Sequence, residues 1–184
     1  SVLFNQRMNA FQPRMRHYLT TLNETTGLYN KGEFESRFEK FKCAMNLYAK
    51  TGRGLVVSFY TVDFIEQLKY QNDQATDQLL QALAQELVDI RLPEEDQFYL
   101  GNGTFVVMSP IYQSGDSLEF IQELNKITKI QFSLFPFKNA ERSQNTIIRF
   151  GEIVIEGSTE LTAEQVISRV QRRSEADLTD EYIL

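Results

Sequence analysis

With one cysteine, one histidine and no tryptophan, this 184-residue chain is poor in the side chains that hold transition metals. Cys43 and His17 each stand alone, which excludes a disulfide, a cysteine-rich zinc site and a clustered-histidine metal site within one chain. Cys43 as a nucleophile would need His17, and its place on a predicted helix face makes it a packed thiol instead. Basic residues are also few: 19 Lys and Arg against 25 Asp and Glu leave a net charge of −6. Nucleic-acid binding needs clustered cations to replace counterions, and the chain has no such stripe. There is no Gly-rich phosphate loop, which removes the kinase and dehydrogenase readings. No apolar run approaches the roughly 20 residues that cross a bilayer, and no charged-then-apolar leader opens the chain. These absences predict a protein without a metal or other cofactor, in a reducing cytoplasmic setting. The start at Ser1, already inside a periodic pattern, leads us to expect a piece of a longer parent, and the cytoplasmic part of a membrane-attached protein fits that expectation.

What is present is a 42% hydrophobic content, enough for one buried domain with short extensions. Phe4, Met8, Phe11, Met15, Tyr18 and Leu22 alternate steps of four and three, the 3.5-residue period of a helical seam. Pro13 kinks or starts that helix. The stripe fits a coiled coil or signalling helix, and equally a helix packed on its own domain. Asn30 with Glu33 reads as an N-terminal cap, followed by Phe34, Phe38, Phe41, Met45 and Tyr48 on one face of a helix to Lys50. Thr51 to Gly54 reads as a turn, and Leu55 to Val62 as a buried central strand.

Phe64, Ile65 and Leu68 predict a brief helix, and Leu80, Leu83, Leu87 and Ile90 a longer one from Ala75 to Arg91, stopped by Pro93. Gln97–Leu100 and Thr104–Ser109 read as strands joined by Gly101-Asn102-Gly103, where Asn-Gly favours a tight primed turn. Ser117–Ile127 is predicted helical; Ile130, Phe132 and Leu134 alternate as a strand; Pro136–Asn145 is polar and reads as a loop; Ile147–Ile155 is the last long strand. Thr162 and Gln165 cap a final helix with Val166, Ile167 and Val170, before an acidic tail from Ser174. Strands alternating with amphipathic helices around one hairpin predict an α/β domain, a single central sheet covered by helices. The expected division is a helix over 1–22, a domain over 23–173 and a tail over 174–184.

Two segments carry a family resemblance. Asn23, Thr25, Thr26, Gly27, Leu28, Asn30 and Lys31 resemble the acid-x-Leu-Thr-Gly-Leu-x-Asn-Arg opening of GGDEF domains, the diguanylate cyclase family, and Gly101-Asn102-Gly103-Thr104-Phe105 falls on its signature turn. The resemblance covers Asn23 to Arg173 and implies a mostly antiparallel, cyclase palm-like sheet. Thr76-Asp77-Gln78-Leu79-Leu80 resembles Gly-Asp-x-x-Leu, and with Phe64 it puts the family's Asp-x-Asp on Tyr60 and Val62. Gly103 and Thr104 take the two acids of the signature. Asn72-Asp73 resembles the nucleotide-contacting pair but is four residues out of place, since the register puts Leu68 and Lys69 there.

Condensing two nucleoside triphosphates needs divalent ions, and hard cations need carboxylate oxygens. With Tyr60, Val62, Gly103 and Thr104 at the acidic positions, the resemblance implies a degenerate member with no cyclase activity. The leading expectation is a regulatory module in bacterial cyclic di-GMP signalling, of the kind serving exopolysaccharide or biofilm control, acting through a protein partner or through self-association of its first helix. The alternative is a receptor for cyclic di-GMP or GTP, using Asp77, Gly101, Gly103 and Arg91. For that receptor, the family's Arg-x-x-Asp inhibitory site falls on Leu92 and Glu95, and Arg91 with Glu94 lies one residue off. A plainer role for Arg91 is a solvated helix-end cation, and for Asp77 a helix-start acid.

Overall fold

The structure, a computed structural model, describes residues 1–10, 20–47, 52–112 and 117–183. Phe11, Pro13, Met15, His17, Tyr18, Tyr48 and Lys50, named in the sequence reading, lie outside the described residues. The elements run α1 (Val2–Ala10), α2 (Lys31–Leu47), β1 (Arg53–Val62), α3 (Ile65–Gln71), α4 (Asp73–Ile90), β2 (Asp96–Tyr99), β3 (Thr104–Tyr112), α5 (Ser117–Ser133), β4 (Pro136–Asn139), β5 (Arg142–Asn145), β6 (Ile148–Glu156) and α6 (Ala163–Ile183).

Four strands form an antiparallel sheet in the order β2-β3-β1-β6, with β1 at its centre. Side chains alternate across a strand, so β1 serves both faces. Tyr60 and Val62 pack with Leu79, Leu83 and Leu87 of α4 and Phe132 of α5. Leu55, Val57 and Phe59 pack with Phe34 and Phe38 of α2 and Val166 and Val170 of α6. Because helices cover both faces, the β1 sequence is mostly apolar instead of alternating, and even its Ser58 and Thr61 are buried.

Local chemistry explains most element ends. The Asn30 side chain accepts from Glu33 N–H at 3.0 Å to open α2, and the Asn72 side chain accepts from Ala75 N–H at 3.0 Å to open α4. Asn72 is therefore a helix cap, and α4 begins two residues before the expected Ala75. β1 begins at Arg53, inside the expected turn, because Gly54 sits in the sheet where a Cβ would lie 2.7 Å from the Ile155 carbonyl oxygen. β3 continues through Pro110 to Tyr112, since β2 pairs only as far as Met108 and Pro110 has no ladder partner on that side.

Two expectations are overturned. Ile130, Phe132 and Leu134 are not a strand: α5 runs to Ser133, and its inner face is Ile121, Asn125, Thr128 and Phe132. Two of those four are polar, which hid the helical period, while Ile130 and Leu134 are exposed. Pro136–Asn145 is not an open loop but the β4-β5 hairpin, turning at Ala140 with φ 56. Every residue of β5 is exposed, so no apolar alternation marked it. The final helix also carries on past Ser174, itself buried, to Ile183.

α1 docks on the Thr-Gly-Leu segment. A Cβ on Gly27 would lie 2.5 Å from Phe4 N, and Arg7 Nη1 donates to the Gly27 carbonyl at 2.8 Å. The Tyr29 ring lies between two guanidinium groups, Arg7 at 4.8 Å and Arg37 at 4.0 Å. Arg37 continues the chain of contacts to Glu33 and, at 2.9 Å, to Asp96 on β2.

Candidate functional site

The β2-β3 turn is held by Thr104 N–H donating to the Gly101 carbonyl at 3.0 Å and Leu100 N–H to the Thr104 carbonyl at 2.9 Å. Asn102 and Gly103, its central residues, have φ 50 and 74, the left-handed pair of a primed hairpin turn. Gly103 is also pinned from both sides: its N–H donates to the Tyr99 hydroxyl at 2.9 Å, and its carbonyl accepts from Val62 N–H at 2.9 Å. Burial raises the Tyr99 phenol above its ordinary range, and the nearby Asp77 carboxylate adds to that. Of the candidate binding residues, Gly103 thus bonds Tyr99 and Asp77 acts on its phenol by charge, while Gly101 opens the same turn.

The ladder changes the register of the expected acidic positions. Thr104 lies directly opposite Thr61, and Phe105 opposite Tyr60. Tyr60 and Val62 point to the α4-α5 face, whereas Thr61 and Thr104 share the other, their hydroxyls 3.1 Å apart. Ligands from neighbouring strands that share an ion must share a face. The strand positions that could act with 104 are thus Thr61 and Asp63, one residue on from Tyr60 and Val62. Asp63 is on that side because it reaches Arg149, at 3.6 Å, and Arg149 lies opposite Thr61 on β6.

Asp63 and Arg149 border an open hollow of about 290 Å3, with Val62, Phe64, Glu66 and Asn102. Asp63 Oδ2 and Arg149 Nε are buried without a hydrogen-bond partner. Phe64, on the rim, holds a left-handed backbone at φ 58 while half its surface is exposed. A bulky residue in that conformation costs on the order of 1 kcal/mol or more, and such strain gathers at functional sites. Among the described residues no three His, Cys, Asp or Glu side chains come together as a metal site.

Arg91 is elsewhere. It sits by Ser109, five positions along β3 from Thr104, or roughly 17 Å away at the rise of an extended strand. It is not a solvated helix-end cation: its side chain and that of Glu95 are both 0% exposed and ion-paired. Its partner is Glu95, not Glu94. Arg91 Nη1 donates to Asn125 Oδ1 at 2.8 Å and Thr128 Oγ1 at 3.0 Å, and Glu95 accepts from Leu92 N–H at 2.8 Å and from the Ser109 hydroxyl. The Tyr60 hydroxyl completes the cluster, donating to Asn125 Oδ1 at 2.9 Å. Burial pushes the Tyr60 phenol up to about 12, against the opposing pull of Arg91. Sequence reasoning missed Thr61, Arg149, Asn125 and Thr128; the only signal for the last two was polar residues spaced on the inner face of a helix.

No protein-family model and no curated protein matches the chain. Solved structures do match it. A sensory box/GGDEF family protein from Caulobacter crescentus aligns over 87% of this chain and 99% of its own, with TM-score 0.68 and 19% identity. The coiled coil and GGDEF domain of DgcB from Caulobacter crescentus, in complex with c-di-GMP, aligns over 95% and 88%, with TM-score 0.72 and 15% identity. Diguanylate cyclase SiaD from Pseudomonas aeruginosa, in complex with its activator SiaC, aligns over 96% and 65%, with TM-score 0.73 and 14% identity.

Proposed function

We propose, from a chain that has the GGDEF-domain, diguanylate cyclase-like fold, that this domain is non-catalytic and acts as a regulatory, protein-binding module in bacterial cyclic di-GMP signalling. One observation carries the reading. The positions that share a face at the signature turn hold two hydroxyls bonded to each other, Thr61 and Thr104, beside Gly103, which has no side chain. Neutral hydroxyls are poor magnesium ligands at neutral pH, and of the two carboxylates bordering the hollow, Asp63 and Glu66, the first is opposed by the Arg149 cation. Two divalent ions and a triphosphate need more negative charge than this hollow offers.

The docked α1 supports a protein-contact role: it grips the Thr-Gly-Leu segment through Gly27 and Tyr29 and is linked by Arg37 to β2, the strand that leads into the turn. No described helix is long and apolar enough to cross a membrane. The receptor alternative loses its arginine, since Arg91 is turned inward and fully engaged.

Purified protein incubated with GTP and magnesium is expected to form no cyclic di-GMP, and calorimetric titration with cyclic di-GMP, and separately with GTP plus magnesium, is expected to give no binding heat. Product formation overturns the non-catalytic reading; binding heat without product replaces the scaffold with the receptor.

A further inference from the structure

Between the end of α3 and the β4-β5 hairpin lies a hollow of about 450 Å3, lined by Gln71, Phe137, Asn139, Arg142 and Gln144. It shares no residue with the hollow at the signature turn, which sits at the other end of α3. Strand register builds four of its five walls. Phe137 pairs with Gln144, and Asn139 with Arg142. Directly opposed residues of a ladder point to one side, so these four share a face of the hairpin. Phe137 is buried at the base, and Arg142 and Gln144 are exposed. Asn72 fastens the arrangement: its side chain donates to Asn139 Oδ1 at 3.1 Å while it caps α4.

The polar groups around this hollow are unused by the protein itself. Among the described residues, the side chains of Gln71, Arg142 and Gln144 have no hydrogen-bond or ion-pair partner, and Asn139 engages only its oxygen. Arg142 is also the one charged side chain among the described residues of the lining. Lys138 points to the other side of the hairpin and lines a separate hollow against α4. A guanidinium fork holds a carboxylate or phosphate through two parallel N–H bonds. A single cation balances a single negative charge, which favours a carboxylate over the more highly charged phosphate. Each of the three carboxamides both donates and accepts, as a hydroxyl does, so they match hydroxyl groups and not an apolar body. The volume falls in the range of about 300–1,000 Å3 typical of small-molecule sites.

We infer that this hollow binds a small polyhydroxylated monocarboxylate, of the sugar-acid class, with Arg142 on the carboxylate and Gln71, Asn139 and Gln144 on the hydroxyls. A ligand held this way joins the hairpin to the corner between α3 and α4. The inference is independent of the signalling role proposed above, because the two hollows have no residue in common.

Titration of the isotope-labelled chain with D-glucuronate, followed by magnetic resonance, is expected to saturate with a Kd below about 1 mM. The signals that move are those of Gln71, Asn139, Arg142 and Gln144, the Arg142 Nε–H among them. Arg142→Ala weakens binding at least about tenfold, the worth of a charged hydrogen bond, and leaves circular dichroism unchanged because the side chain is exposed. Lys138→Ala, on the other face, leaves binding as it is. D-Glucose, which lacks the carboxylate, and inorganic phosphate, which lacks the hydroxyl-bearing carbon frame, each bind at least about tenfold more weakly than D-glucuronate. No saturable change with D-glucuronate overturns the inference. Equal binding of D-glucose overturns the role of Arg142, and equal binding of phosphate overturns the sugar-acid class by leaving a general anion site. Equal losses in Arg142→Ala and Lys138→Ala overturn the location.

Discussion

Arg91 and Glu95 are charged side chains with no exposed surface, and each depends on the other. Burying an ion pair contributes little net stability, but removing one member strands the other in a medium that cannot solvate it. Arg91→Ala is therefore expected to cost about 3–5 kcal/mol in denaturant unfolding, whereas replacing the pair together with apolar side chains of similar volume recovers most of that loss. A loss below 1 kcal/mol for Arg91→Ala would contradict the sealed cluster. From the sequence, Arg91 looked like any cation ending a helix. What makes it internal are Asn125 and Thr128, 34 and 37 residues downstream, which no local pattern connects to it.

The elements legible in the sequence are those whose signal is local. The caps at Asn30 and Asn72 are local, as are the apolar run of β1 and the Gly101-Asn102-Gly103 turn, where the backbone needs left-handed residues that glycine adopts freely. The turn also separates two glycines by their surroundings. A Cβ on Gly103 would lie 3.0 Å from the Val62 carbonyl oxygen and 3.3 Å from Ile65, while a Cβ on Gly101 meets nothing within 4 Å. Gly103→Ala is expected to lower stability by about 2–3 kcal/mol and Gly101→Ala by about 1 kcal/mol, because only the first adds a clash to backbone strain. Equal losses in thermal unfolding would show that the contact with β1 does not matter. The end of α5 and the β4-β5 hairpin were illegible for the opposite reason: the helix buries polar residues, and the hairpin buries almost none.

For the whole molecule, the buried Tyr60 phenol ties folding to alkaline pH. Its folded pKa, about 12, lies above the ordinary 10, so its stabilising contribution is complete below pH 10 and is lost as pH rises toward 12. Tyr99 shifts in the same direction. Two units correspond to about 2–3 kcal/mol, and Tyr60→Phe is expected to flatten the fall in stability over that window while costing about 1 kcal/mol at neutral pH for its lost hydrogen bonds. A variant whose stability falls as steeply as the wild type above pH 10 would place the alkaline sensitivity elsewhere. By itself the sequence determined the order of elements as far as the start of α5 and again from β6, the covered central sheet, the tight turn, and the absence of acids at Gly103 and Thr104, because each depends on residue types read in place. Only the tertiary structure decided which neighbours those positions face. A one-residue difference in register turns every side chain of a strand to the other side, and pairing of β1 with β3 is what set Thr61, instead of Tyr60, beside Thr104, while the contact with Arg149 of β6 holds Asp63 on that same side.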